Sequence, residues 1–283
     1  MKRHVIVLSC LMFVIESVVP TLAQDAEWKT LNEWEKLNAE MLSLYKQGQY
    51  DHAAITATKA LQLAKQKGGI THPTVALSMN NLALIYKAQG QYEQAEQQYK
   101  FSLTIGQMVR GLNHLSVAKT LNNLAALYEA QGRYAEAEAS YKQSLEIKQK
   151  ALGLDHLSVA LSLNNLATLY SIQKQYILAE HFHKRSLEIK EKNLGTEHPI
   201  VAESLDNIAE IRSTQGKYAQ AELDFKRSLE IREKTLGTEH PDVAKSLDNL
   251  AELYLLQGKY EQAEPLFKRS LLIKKNTLEP HHP

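Results

Sequence analysis

From residue 72 onward, apolar and polar positions recur in a fixed order. In the copy that begins at His72, apolar residues fall three and four apart at Met79, Leu82, Ala83 and Tyr86, the spacing of one face of an α-helix. Gly90 then offers the left-handed conformation that ends a helix. A second apolar series follows through Tyr92, Ala95, Tyr99, Ser102 and Leu103. Pro73 stands where the first turn of a helix tolerates it, because its missing N–H would be unpaired there anyway. Each copy therefore predicts two helices joined by a glycine turn.

The period is 42 residues: His72, His114, His156, His198, His240 and His282 are evenly spaced, and the copy from His240 repeats the one from His72 almost slot for slot. Internal repetition of this length indicates a helical solenoid. The Gly-x-Tyr-x-x-Ala-Glu junction and the aromatic slots carry the tetratricopeptide signature, whose usual period is about 34 residues. The excess is assigned to a longer second helix and to the loop at Gly195-Thr196-Glu197-His198-Pro199. Forty-two residues also suits HEAT or armadillo repeats, but the junction favours the first reading. The expected fold is all-α, a right-handed superhelical solenoid of tetratricopeptide-type helix-turn-helix repeats. Five repeats occupy 72–281, with a tail at 282–283. Residues 24–71 form an N-terminal cap and degenerate first repeat, in which Gly48, Tyr50, Ala53 and Leu61 keep their slots while Glu40 and Ala57 do not. Atypical end repeats are expected, since each has one neighbour.

The phrase His-Pro-x-Val-Ala-x-Ser-Leu-x-Asn-Leu-Ala, with Arg185-Ser186-Leu187-Glu188 at the close of a repeat, resembles the 42-residue repeats of kinesin light chains. The resemblance covers about residues 30–283. It speaks strongly to fold and far less to partner.

In such arrays the first helices line the concave surface. Two slots there recur as Asn, a poor helix former. The first reads Asn80, Asn122, Asn164, Asp206, Asp248, and the second Asn81, Asn123, Asn165, Asn207, Asn249. Projection at 100° per residue puts them on the flanks opposite the Met79–Tyr86 stripe, beside Leu77 and Leu84. A side-chain amide donates and accepts at once, which suits the backbone of an extended peptide. The resemblance implies the same use, as kinesin light chains hold cargo peptides with first-helix Asn residues. The alternative for the second slot is a bond between neighbouring repeats. Glu203, Asp206, Glu210, Asp248 and Glu252 make the last two repeats acidic, opposed by Lys245. The expected partner is a protein or peptide, with a basic segment facing these residues. Kinesin light chains differ in taking acidic motifs.

Charge and composition add exclusions. The chain has 33 basic and 32 acidic residues, which argues against a general grip on nucleic acid or anionic lipid. Residues 1–23 read as a secretory signal peptide: Lys2, Arg3 and His4, an apolar run from Val5 to Ile15, then Thr21-Leu22-Ala23 before the cut. Glu16 cuts the run short of a membrane span. The expected location is secreted or periplasmic. Val7-Leu8-Ser9-Cys10 is the alternative, a lipoprotein box with too few apolar residues before it. Without Lys2, Arg3 and Glu16 the mature chain carries 31 basic and 31 acidic residues, and it has no cysteine.

No residue pattern calls for catalysis, a cofactor or a metal. The spaced histidines each open a helix, without Cys or carboxylates at ligand spacing. Ser102, Ser144, Ser186, Ser228 and Ser270 sit where helices approach and lack a paired base. Lys-Arg pairs at 184–185, 226–227 and 268–269 interleave with acids and read as a solvated face. His183 occupies an aromatic core slot. Lys174 replaces a turn glycine and Arg212 a first-helix Tyr, so the joint between repeats four and five is expected to be the softest. The function expected is an exported scaffold or adaptor that binds a peptide or partner in the concave groove. The alternative is a structural protein that self-associates end to end through its C-terminal repeat.

Overall fold

The computed structural model describes residues 31–278. The expected signal peptide at 1–23, Cys10, Trp28 and the tail with His282 lie outside the described residues. Among these, helices alternate in pairs: α1 (Leu31–Lys46) and α2 (Tyr50–Gly68), α3 (Pro73–Ala88) and α4 (Tyr92–Arg110), α5 (Leu115–Ala130) and α6 (Tyr134–Leu152), α7 (Leu157–Ile172) and α8 (Tyr176–Leu194), α9 (Pro199–Thr214) and α10 (Tyr218–Leu236), α11 (Pro241–Leu256) and α12 (Tyr260–Leu278). The first helix of each pair has 16 residues and the second 19. The chain divides into two compact units, one ending at Ile147 and one beginning at Lys148.

Each repeat is punctuated by the same local chemistry. His72, His114, His156, His198 and His240 are extended N-cap residues whose Nδ1 accepts the backbone N–H two residues on, at 3.0–3.3 Å. This satisfies one of the orphan donors at a helix start, the service Ser or Asp usually performs. At the turn between helices, Gly90 has φ 76° and Gln91 N–H returns to Tyr86 O at 2.8 Å. Lys174 makes the same turn at φ 61°, with Gln175 bonded to Tyr170 O at 2.8 Å. A Cβ there strains the backbone by roughly 1–2 kcal/mol.

The cores of four repeats are sealed by a serine. Ser102, Ser144, Ser186 and Ser270 are buried, and each Oγ donates to the first-helix carbonyl 26 residues back (Ala76, Ala118, Ala160, Ala244) at 2.7–3.0 Å. A small side chain lets the helices close up, and its hydroxyl finds a partner there.

In the unit up to Ile147, α3 packs against α2, α4 and α5. Its buried side chains are Val75, Ser78, Asn80, Leu82 and Ile85 with Ala76 and Ala83, while Met79 and Tyr86 are only half-buried. The expected stripe is thus shifted, because a helix enclosed on three sides has no single buried face. Trp34 anchors the first pair by donating from Nε1 to Ser78 Oγ at 2.8 Å.

In the unit from Lys148, Arg212 does not leave the gap expected of a missing Tyr. Tyr254 donates to Glu222, 32 residues back, at 3.0 Å. Arg212 Nε reaches Glu180 over the same offset at 3.1 Å, and its Nη1 reaches Asp224 at 2.5 Å. Lys184 and Lys217 also pair with Glu180, at 2.8 and 3.0 Å. Burial would raise the Glu180 carboxyl, but bonds from Lys184, Lys217 and Arg212 outweigh it and hold the group near pKa 2. The joint between repeats four and five is tied by charge, and its one strained element is Lys174.

Candidate functional site

The candidate surface lies on the first helices, which adjoin within each unit: α3 with α5, and α9 with α11. The Asn slots fall largely inside this packing. In the unit up to Ile147, Asn80 is 2% exposed, and its Oδ1 accepts a bond from Asn123 Nδ2 at 3.1 Å. Asn81 makes the equivalent bond one repeat earlier, donating to Asn38 Oδ1 at 2.9 Å. The second-slot amide of one repeat therefore grips the first-slot amide of the repeat before it. Asn122 is half-buried.

In the unit from Lys148, Asn164 is buried and its Oδ1 lies 3.0 Å from His183 Nδ1. Asp206 is also buried, and Arg232 Nη1 stands 2.6 Å from its Oδ2, an ion pair without a well-aligned hydrogen bond. Burial pushes the Asp206 carboxyl up, opposed by Arg232. Asp248 is half-buried and paired with Lys274. Asn165, Asn207 and Asn249 are half-buried, and the Asn249 amide nitrogen is enclosed without a partner among the described residues. Placing the whole first slot on an open face is thus corrected: Asn80, Asn164 and Asp206 face packed helices. The acidic character is also reduced, because Arg232 matches Asp206 and Lys274 matches Asp248. Glu210 and Glu252 are exposed, Glu203 is half-buried and Lys245 is exposed.

Other first-helix charges stand near the slots. Lys87 is half-buried, and burial lowers its amine to about pKa 8 against the opposing pull of Glu129. Burial raises the Glu129 carboxyl, which accepts a bond from Tyr141 at 3.1 Å. On the second helices, Lys184 and Lys226 pair with Glu180 and Glu222, and Arg185, Arg227 and Arg269 with Asp155, Glu191 and Glu233.

One periodic column escaped sequence reasoning. Lys148, Lys190, Arg232 and Lys274 are 42 apart on successive second helices. Lys148 and Lys190 donate at 2.6 Å to Ser162 and Ser204, and Arg232 donates to Ser246, each 14 residues on in the next first helix. Their spacing was the available signal. Among the described residues no group of three or more His, Cys, Asp or Glu could hold a metal ion, and no helix is long and apolar enough to cross a membrane.

Comparison with known proteins now bears on this architecture. The tetratricopeptide repeat family model matches residues 42–108, 74–150, 116–192, 158–234 and 224–276. No curated protein matches in sequence. Among solved structures, BtubC (BKLC) from P. vanneervenii superposes with a TM-score of 0.69 at 22% identity, covering 87% of this chain and 94% of that one. A Podosopora anserina chain, described as a kinesin light chain with nearly identical TPR-like repeats, gives a TM-score of 0.66 at 27% identity, covering 74% of this chain and 99% of the other. The similarity to kinesin-light-chain repeats read from the sequence is therefore shown. By the extent of the family match and the alternation of its helices, the chain belongs to the tetratricopeptide repeat family.

Proposed function

We propose that this protein is an exported adaptor whose first-helix groove binds a peptide segment of a partner protein. The observation that carries the reading is the repeat family itself, whose fold is that of protein–protein interaction scaffolds. Export rests on the basic start, apolar run and small residues of 1–23. Within the groove, the half-buried Asn122 places a side-chain amide on the first-helix surface. Glu203, Glu210 and Glu252 outnumber Lys245 and favour a basic segment. Asn80, Asn123 and Asn81 act by holding adjacent first helices in register.

The test is capture of partners from the exported fraction, followed by affinity measurement on the purified pair. The variant Asn122→Ala with Glu210→Gln and Glu252→Gln should weaken binding at least tenfold and flatten its salt dependence. Unchanged affinity and salt slope would sink the groove assignment. A second reading has support in α11 and α12, where Leu255, Leu256, Tyr260, Leu271 and Leu272 are 43–69% exposed, an apolar patch suited to a second copy. Sedimentation across a dilution series separates the two, since self-association predicts a mass that falls on dilution.

A further inference from the structure

The cation column starts only at Lys148, and the first two repeats carry Ala64 and Gly106 at its slot. Where the later repeats carry Lys148, Lys190, Arg232 and Lys274, the second helix of the second repeat has Gly106. This glycine is buried in the middle of α4 with ordinary helical φ, so no turn requires it. A mid-helix glycine is destabilising relative to Ala. A Cβ would meet only Val117 Cγ2 at 3.5 Å, ordinary contact. The backbone and its neighbours accommodate a side chain here, yet none is present.

The space left behind is a cavity of about 60 Å³ between α3, α4 and the start of α5, lined by Gly106, Asn80, Ser102, Arg110, Lys119 and Thr120 among others. A single water needs roughly 10–15 Å³ of such space. Two of the lining groups are cations, and none of the cavity's lining residues is acidic. Arg110 is also peculiar to this site: at its slot the following repeats have Leu152, Leu194 and Leu236, while the Lys119 slot reads Leu161, Glu203 and Lys245. Neither has a hydrogen-bonded or ion-paired partner among the described residues. Asn80 lines the same space, with its oxygen held by Asn123. The N-terminal turn of α5, capped by His114, borders the same space and adds its positive end.

We propose that this cavity is an oxyanion site, taking a group of carboxylate or phosphate size between Arg110 and Lys119. In the third, fourth and fifth repeats one cation from the second helix, Lys148, Lys190 or Arg232, reaches a serine of the next first helix. Here that cation is absent and two others flank the cavity. Burial lowers the Lys119 amine, a cost that a bound anion relieves. The titration uses no peptide, so this site is tested whether or not one binds in the groove.

The experiment titrates the whole mature chain with inorganic phosphate and, separately, acetate, at ionic strength matched with chloride. Binding is read from the amide resonances of residues 106–120. Saturable shifts beyond the chloride control are expected with at least one of the two anions, and which one saturates identifies the ligand chemistry. Lys119→Leu should weaken binding at least tenfold. Gly106→Met, which fills the cavity without charge and leaves both cations in place, should abolish it. Lys268→Leu, on an exposed face of α12 outside both sites, should change nothing. Far-ultraviolet dichroism confirms that each variant is folded. Absence of saturation with both anions, or undiminished binding by Gly106→Met, overturns the proposal.

Discussion

His183 makes the stability of this protein depend on pH in a way that can be worked out in advance. The ring is 3% exposed in a slot that other repeats fill with Tyr99, Tyr141, Phe225 and Phe267. Burial, with a smaller contribution from the Lys190 charge, lowers its pKa to about 3. Asn164 Oδ1 at 3.0 Å accepts from the neutral ring. In the unfolded chain the same imidazole titrates near 6.5. A base whose folded pKa is depressed leaves stability intact above 6.5 and removes it as pH falls, because the unfolded chain binds a proton that the folded one refuses. The loss at pH 5 relative to pH 8 is about 2 kcal/mol, rising to about 3 kcal/mol at pH 4. Any folded pKa below about 4 gives the same value at pH 5, so the prediction does not hinge on the depth of the shift. His183→Phe leaves Asn164 without its donor, a cost of about 1–3 kcal/mol that is independent of pH. Denaturant unfolding of both proteins at pH 8 and pH 5 should therefore show the wild type losing about 2 kcal/mol more than the variant between the two. The other histidines are common to both and cancel. Equal losses would mean that His183 ionises freely in the folded state, and the buried-ring account would fail.

Three further outcomes are expected. Lys174→Gly should stabilise the chain by about 0.5–1 kcal/mol, the relief of the left-handed Cβ less the extra freedom of unfolded glycine; a lower denaturation midpoint would contradict the strain at φ 61°. Tyr99→Phe should be neutral or stabilising by about 1 kcal/mol, because the Tyr99 hydroxyl is enclosed without a partner; a clear loss of stability in the same assay would show that the oxygen is bonded. Asn80→Ala and Asn123→Ala should couple by about 0.5–1.5 kcal/mol in a double-mutant cycle, and strict additivity would remove the amide grip between their repeats.

Much of the architecture was readable because it is written in local rules. The 42-residue spacing of the cap histidines, Pro73 and the turn glycines each act within a few residues, so helix number and pairing follow directly. The side of each helix was harder. A helical projection assigns one buried face, but α3 touches α2, α4 and α5, and Asn80 ends up enclosed although it lies about 160° from Leu82 on the wheel. Asp206 looked like an open acid for the same reason, since its partner Arg232 comes from a helix that one-helix projection leaves out. Gly106 was visible as an interruption at a fixed slot, but only after Lys148 and its successors were seen to form a column.

The side-chain bonds that recur along the array fall at fixed offsets of 14, 26, 32 and 43 residues, and the Trp34–Ser78 bond spans only 44. Each repeat thus presents to the next the same complementary edge that it receives from the one before. Whole copies can be duplicated or deleted in the gene while the flanking joints stay matched, so the length of the array is free to drift. An insertion of any other length breaks every offset across it. A slot such as Gly106, which departs from the column, is then the kind of position where one copy acquires a task that its siblings lack.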